Sequence, residues 1–569
     1  MKTSIETWND INWKLVHKTV LKLQIQIFHC SKRNDKVRMQ NAQRVLINLP
    51  QAKYLAVRKV TQDNRGKSTS GVDNIKLLNP LQRLKLAQSL SVDGKADPIR
   101  RVYIPKPKTD KMRPLGIPTI KDRAKQTLVR FALEPEWEAK FEPNSYGFRT
   151  GRSCHDAMEA VFASINKKDK FVLDADISKC FDHINHEALL GKLETFKKLE
   201  RQVKAWLKAG VLDSSISDQI ETTERGTPQG GTISPLLANV ALHGLENMLK
   251  DWVETLPLKE RDGRPMYRRR KRDQLSVIRY ADDFVVLHPL LRVIELALER
   301  IAEWLKPMGL ELSEDKTRIT HTHLWWNGQK PGVNFLGFIV SQPLVGRFKR
   351  GRMGLTFKTI IRPTREKQLL HLEKLREILK QHSKTEAIIV KSHPVIQGWT
   401  NYYKSVASKR NFNKCDRIMM RQIMFWAYRK HPNRSKKWVV QKYLKRVENR
   451  LRFGFYKTLG KNDHQFLYVK SHSEVRIKRH AKVSGERSPF DGDWIYWGLR
   501  GQKDYRHNDK QLTLLRRQKG HCAWCGLVIL PSDVIEIDHR IPRSRDGKNQ
   551  LSNMQLLHGH CHDEKSRTD

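Results

Sequence analysis

Tyr280-Ala281-Asp282-Asp283 is the stretch whose reading decides the fold. Leu275-Ser276-Val277-Ile278-Arg279 precedes it and Phe284-Val285-Val286-Leu287 follows it. Two short runs rich in β-branched and apolar residues around a polar tip spell a β-hairpin. Two adjacent carboxylates at a tight turn repel each other. A divalent cation relieves that repulsion, and hard oxygen ligands suit Mg²⁺. Asp is equally at home in a solvated turn, so these four residues alone leave both readings open.

Working outward, Phe171-Val172-Leu173-Asp174-Ala175-Asp176-Ile177 reads as a strand with Asp174 and Asp176 on one face. An acidic pair inside an apolar strand is expensive without a cation partner. Phe181 and Asp182 follow. Upstream, Arg100 to Thr119 reads as two strands joined by a polar turn at Thr109-Asp110-Lys111, with prolines where strand ends tolerate them. Lys106 and Arg113 project near one another from such a hairpin. Together they can hold a triphosphate, Arg113 by its planar fork; a charged hairpin in water is the alternative.

The remaining segments frame these elements. Residues 1 to about 95 show helical apolar stripes over Trp13 to Ile27 and Val45 to Val57, both packing faces. A helix is expected over Ala124 to Phe141, then a Gly-punctuated basic loop from Ser145 to Ser153. Gly226 to Pro235, with Gln229 and Gly230, opens a helix expected to run through Leu236 to Leu249; its glycines let backbone approach a ligand. Arg261 to Arg272 reads as a basic loop just before the central hairpin, and Val333 to Val340 is an apolar run.

The whole chain has 569 residues, too many for one core, and 38% hydrophobic residues, enough for several. Its formal net charge is +48. So basic a chain calls for a polyanion, nucleic acid first. No apolar run approaches the length of a membrane span, so no membrane partner is expected. From Ser341 to His480 there are 35 Lys+Arg against 8 Asp+Glu, interleaved with Trp399, Tyr402, Tyr403, Trp426, Tyr428, Trp438 and Tyr443. Basic helices with rings fit a nucleic-acid backbone, although most of these rings are expected in the core.

The N-terminus lacks a signal-peptide pattern, and the seven cysteines do not form a secreted disulfide framework. A reducing, cytoplasmic compartment is expected. Cys522, Cys525, His558 and Cys561 form a Cys₃His set with two-residue gaps in both pairs, the spacing of structural zinc. A redox C-x₂-C leaves the second pair unexplained. Between the pairs lies Asp538-His539, with Asn549 and Asn553 beyond and His562 near the end. A zinc-stapled module of this kind can hold one catalytic cation, with one His activating water.

Taken together, these motifs resemble the reverse transcriptases encoded by group II introns. The matching stretches are Arg113-Pro114-Leu115-Gly116-Ile117-Pro118, Ser145 to Ser153, Asp176 to Phe181, Pro228-Gln229-Gly230, Tyr280 to Asp283, Leu312 to Thr317 and Phe335-Leu336-Gly337. Residues about 355 to 445, with Gly398-Trp399 and Tyr402-Tyr403, resemble the thumb and maturase domain, and residues 506–569 an HNH endonuclease. His558 departs from the family, where the second zinc pair more often begins with Cys.

The resemblance implies a multidomain α+β chain. It comprises an N-terminal extension with the RNA-binding part of the fingers (1–95), right-hand polymerase fingers and palm (96–345), a helical thumb or maturase domain (346–445), a DNA-binding region (446–505) and a zinc-stapled ββα HNH domain (506–569). It implies that Asp176 and Asp282 hold two Mg²⁺, with Asp283 beside them. Lys106 and Arg113 would grip the triphosphate, and Phe181 would exclude a ribose 2′-OH. Gln229 and Gly230 would line nucleotide and template, and Lys316 would stand near the incoming nucleotide as a proton donor. In the nuclease it implies His539 as general base, Asp538 and His562 as ligands of one divalent metal, and Asn553 orienting the base. The implied partners are intron RNA, an RNA template with a DNA primer, dNTPs and a target DNA. A splicing cofactor with relic polymerase residues, and a reverse transcriptase in a defence role, are the rival readings. The intact carboxylates argue against the first, the basic thumb and HNH module against the second.

Overall fold

The protein is described here from a computed structural model covering residues 6–105, 112–213, 220–221, 224–260, 262–345, 356–460, 463–504 and 506–568. Helices Trp13–Lys32, Lys36–Asn48 and Pro50–Arg58 open it. Asn12 caps the first by accepting from the Leu15 N–H at 3.0 Å. The Val45 to Val57 stripe is two helices, not one. Leu49 is extended and Pro50 starts afresh at the first helical position, where its missing N–H costs nothing.

These helices pack on Ile120–Lys140, a buried helix with Pro135 inside it. Proline cannot donate to the carbonyl four residues back. That orphaned carbonyl, Phe131, accepts instead from Gln24 Nε2 at 3.2 Å. The defect in one helix is therefore the docking point of another.

The central hairpin is real. Strands Ser276–Tyr280 and Asp283–His288 pair antiparallel, and Phe171–Asp176 and Arg318–His321 complete a four-stranded sheet. Alternation sorts its side chains cleanly. Leu173, Ala175, Val277, Phe284 and Val286 join one core, and Val172, Ile278, Val285 and Leu287 the other. Asp174 and Asp176 continue the second face to its rim. Strands Ile99–Pro105 and Met112–Ile117 pair in a second sheet, with Ile104 opposite Arg113. Their connecting turn, including Lys106, lies outside the described residues.

Two expectations change, and one segment left without a reading takes shape. The helix over Leu236 to Leu249 is two helices, Ser234–Ala241 and Leu245–Thr255, parted at Gly244 with φ +99°. The basic stretch before the hairpin is in part a helix, Arg268–Gln274, and three of its cations, Arg270, Lys271 and Arg272, are engaged. Arg270 meets Glu260 at 2.8 Å, and Arg272 meets Asp251 at 2.6 Å and Glu254 at 2.8 Å. The Val333 to Val340 run is a hairpin, Val333–Phe335 and Phe338–Ser341, turning where Leu336 and Gly337 take positive φ.

Beyond it, helices Arg365–Gln381, Thr385–Tyr403, Lys409–Lys430 and Lys436–Tyr443 lead into a three-stranded sheet. Tyr403, Trp426 and Tyr443 are buried core rings. The expected boundary between residues 445 and 446 cuts the Leu444–Val447 strand. The segment after this sheet is strapped to the earlier domain at Asp156. That buried carboxylate caps its own helix at Ser153 and accepts from Val483 N at 2.7 Å, Arg500 Nη2 at 2.8 Å and His480 Nε2 at 3.1 Å. At the C-terminus, antiparallel strands Ile535–His539 and Met554–His558 and helix Gly559–Thr568 make a ββα unit. Among the described residues no helix is long and apolar enough to cross a membrane.

Candidate functional site

Strand register brings the first carboxylates together: Asp176 lies opposite Asp283, and Tyr280 opposite Asp283 closes the turn carrying Asp282. Partial desolvation, a hydrogen bond to Asp176 and the charges of Asp282 and Asp176 push Asp283 up to about 7. Burial and Asp176 also raise Asp282, against the pull of Lys316 and Arg113. Three carboxylates this crowded form a site that favours cations. Lys316 already supplies one, its Nζ donating to Asp176 Oδ2. Asp174, on the same face, is neutralised apart from them by Arg318 at 2.9 Å. Asp182 is exposed on the short Cys180–His183 helix.

The turn is held by residues that sequence reading passed over. Ala281 has φ +58°, a costly conformation for an L-residue. Arg279, buried beneath it, donates to Ala281 O at 3.2 Å, Asn239 Oδ1 at 3.0 Å and Ser145 Oγ at 2.7 Å. Asn239 in turn donates to Gly147 O at 2.8 Å. A Cβ on Gly147 would stand 2.2 Å from Ala281 N, so only glycine lets that loop back the turn. The available signal was a lone arginine inside the apolar Ser276–Tyr280 strand. The basic loop's other cations are also structural: Arg149 is buried against Glu138 at 2.8 Å, and Arg152 donates to Pro143 O at 2.8 Å.

Beside the carboxylates, Gly116 and Gln229-Gly230 meet backbone to backbone. Gly116 N donates to Gln229 O at 2.9 Å, and a Cβ on Gly230 would sit 2.3 Å from Gly116 O. Phe181, Gly116 and Gln229 line one cleft of about 310 Å³. Phe148 packs edge-on against Phe181, with centroids 6.2 Å apart. Arg113 is exposed on its strand, its charge felt at Asp282.

In the C-terminal unit one ligand atom from each of Cys522, Cys525, His558 and Cys561 lies within 4.8 Å of all the others, and all four residues are buried. His558 Nδ1 faces Cys525 Sγ at 3.4 Å, and its Nε2 faces Asp533 at 3.4 Å. A carboxylate behind a ligating imidazole fixes its orientation toward a metal, so this donor set fits zinc. Asp533 had no sequence signal. The seven cysteines are free thiols, with no disulfide among them.

Asp538 and His562 also converge, Nε2 to Oδ1 at 3.8 Å, and Glu536 joins them at 3.0 Å from His562 Nδ1. Glu536 was missed, although its alternate position to Asp538 on one strand face is legible. Lys565 meets Asp538 at 3.2 Å. His539 is half-buried, with Nε2 3.3 Å from Asn549 Oδ1. Asn553 does something different from holding that ring. Its side chain bonds Ile541 N at 2.9 Å, Ile541 O at 3.0 Å and Lys548 O at 3.1 Å, pinning the loop after the histidine.

Family models match the segments that carry these residues. Residues 104–340 match the reverse transcriptase (RNA-dependent DNA polymerase), 8–90 the N-terminal domain of reverse transcriptase, 370–444 the group II intron maturase-specific domain, and 522–568 the HNH endonuclease. The chain thus carries segments that match reverse transcriptase, intron maturase and HNH endonuclease domains. The group II intron-encoded protein LtrA of Lactococcus lactis subsp. cremoris is 33% identical over 355 residues, 53% of this chain and 57% of LtrA. Protein YkfC of Escherichia coli K12 is 32% identical over 319 residues, 49% of this chain and 80% of YkfC. The chain belongs to the family of group II intron-encoded proteins. It spans little more than half the length of LtrA.

Proposed function

We propose that the chain is a multifunctional intron protein that copies intron RNA into cDNA from a nicked DNA target, assists splicing of that RNA, and makes the nick. The observation that carries this reading is the convergence of Asp176, Asp282 and Asp283 beside a cleft edged by Phe181. Its working partners are intron RNA, an RNA template with a DNA primer, dNTPs and target DNA, met in a reducing cytoplasm.

Two Mg²⁺ held by Asp176 and Asp282, with Asp283 adjacent, would favour ionisation of the primer 3′-hydroxyl and balance charge on the leaving pyrophosphate. The chain's own residues do the rest. Arg113 binds the triphosphate, together with Lys106. Phe181 closes the cleft against a 2′-OH, and Gln229-Gly230 presents backbone to nucleotide and template. Lys316 shifts from Asp176 toward the pyrophosphate and delivers its proton. The matched domains are read as fingers and palm up to residue 345, a thumb of the helices that follow, and a DNA-contacting region before the nuclease.

In the nuclease, zinc would staple Cys522, Cys525, His558 and Cys561. A divalent metal on Asp538 and His562 would stabilise the leaving oxyanion. His539 takes the proton from the attacking water, and Asn553 keeps its loop in shape. Two assays test the reading: primer extension on an RNA template with added Mg²⁺, and nicking of duplex target DNA. His539→Ala is expected to stop nicking alone. Nicking that survives this change would show the base to be another group.

A further inference from the structure

The nuclease domain is docked firmly on the N-terminal helices. Arg58, with a side chain 3% exposed, pairs with Asp563 at 2.5 Å and Asp63 at 3.4 Å. Its guanidinium lies 4.8 Å from the Trp13 ring centroid. His17 stacks on His560 with centroids 4.1 Å apart, and Arg567 donates to Asn9 O at 3.1 Å.

Between the two domains lies a cleft of about 300 Å³. Glu536 and Asp563 stand on one wall, and Arg58, Lys67 and Arg83 on the other. Glu536 also touches His562, so the cleft opens beside the face that gathers Glu536, Asp538 and His562. Arg58 is committed to two carboxylates. Lys67 and Arg83 are not ion-paired among the described residues. Lys67 is exposed and donates to the Gln62 carbonyl at 3.2 Å, and Arg83 is half-buried with its Nε unpartnered. Burial and the charge of Arg58 lower the pKa of Arg83, with Asp563 pulling weakly the other way. A guanidinium held beside another cation, with a buried N–H left over, is a site awaiting an anion.

We propose that Lys67 and Arg83 of the N-terminal domain bind phosphates of the DNA strand that the HNH domain cuts, making the nuclease site a composite of both ends of the chain. The inference rests on the nuclease reading above. DNA is favoured over RNA because the facing wall is continuous with the nuclease carboxylates.

The test uses the full chain and labelled duplex DNA spanning the insertion junction. For Lys67→Gln with Arg83→Gln, the DNA concentration giving half-maximal nicking is expected to rise about tenfold, with the maximal rate within about twofold. Its dependence on log salt is expected to flatten by roughly 1–2, one lost phosphate contact each. Lys67→Gln alone, at an exposed position with no fold to lose, is expected to give about a threefold rise and a flattening of roughly 1. Primer extension on RNA is expected to stay unchanged. Unaltered half-saturation and salt slope in both variants overturn the inference. So does weakened intron-RNA binding with normal nicking, which would assign the cations to RNA. A wild-type chain that cannot nick this DNA overturns the nuclease reading itself and this inference with it.

Discussion

Asp176 and Asp283 face each other across the ladder between the Phe171–Asp176 and Asp283–His288 strands, and Lys316 reaches over to bond Asp176. Two carboxylates more than a hundred residues apart in sequence thus share one small volume with Asp282 at the adjoining turn. Asp282→Ala is expected to cut primer extension by roughly 10²–10⁴-fold, the range that follows from losing several kcal/mol of charge stabilisation. Binding to intron RNA and splicing should persist, since the sequences assigned to them lie elsewhere. Loss of splicing in a folded variant would break this separation.

Arg279 reaches no nucleotide in this reading; it positions the turn from below. Arg279→Lys keeps the charge but cannot bond Ala281, Asn239 and Ser145 together. Extension under single-turnover conditions is expected to slow about 10²-fold, the cost of a small misplacement of catalytic groups, with the half-saturating dNTP concentration little changed. A rise in that concentration at an unchanged rate would instead place Arg279 in nucleotide binding.

Phe181 lines the cleft with Gly116 and Gln229. Phe181→Val is expected to admit ribonucleotides, raising incorporation of rNTP relative to dNTP by roughly 10–100-fold through relief of a steric clash. Competition primer extension measures the ratio. Discrimination equal to wild type would move the gate to another side chain.

Removing zinc should separate the two enzymes. Structural zinc contributes on the order of 10 kcal/mol or more to small domains. Cys561→Ala, or prolonged chelation, is therefore expected to unfold the C-terminal unit and abolish nicking while RNA-templated extension survives. One zinc per chain by elemental analysis should fall to none. A nicking, zinc-free chain would refute the staple.

Acid lability should be traceable to Glu142. Burial pushes its carboxyl up, but the hydrogen bond and charge of His243, the charge of Arg279 and the Gly244 N–H outweigh burial and bring it down to about 2. A carboxyl with a depressed folded pKa stabilises fully above its unfolded value and loses that contribution as pH falls through the folded value. Glu142 should therefore supply about 3 kcal/mol near neutrality that fades between roughly pH 5 and 2. Glu142→Gln is expected to be less stable at pH 7 and to show a flatter acid limb in denaturant titrations. Parallel acid limbs would remove Glu142 from the account.

What the sequence determined by itself is local. Period-two alternation placed the Asp174 and Asp176 side chains on one strand face. The paired C-x₂-C and H-x₂-C spacings named all four members of the cysteine-histidine cluster, and the Tyr280 to Asp283 tip named its hairpin. These are readable because side-chain direction and ligand spacing follow from backbone geometry over a few residues. Helix breaks were less legible: a stripe of apolar residues continues across Leu49-Pro50, where the proline was the one signal, and across Gly244, where a positive φ parts two helices.

Tertiary structure decided which charges are free. Arg149, Arg152, Arg270 and Arg272 read as basic loop residues in one dimension, yet all four are occupied by carboxylates or carbonyls of neighbouring segments. Lys67 lies in a Gly- and Ser-rich loop whose composition left phosphate contact and plain solvation equally open, and Arg83 carried no signal; both stand across a cleft from a carboxylate more than 450 residues away. The resemblance already named Asp176 over Asp174 and Asp182; what the fold adds is the register that sets Asp176 opposite Asp283, the pairing of Asp174 with Arg318, and the support of the turn by Arg279, Asn239 and Gly147. Electrostatic and packing partners are set by distance in space, which a pattern along the chain does not encode.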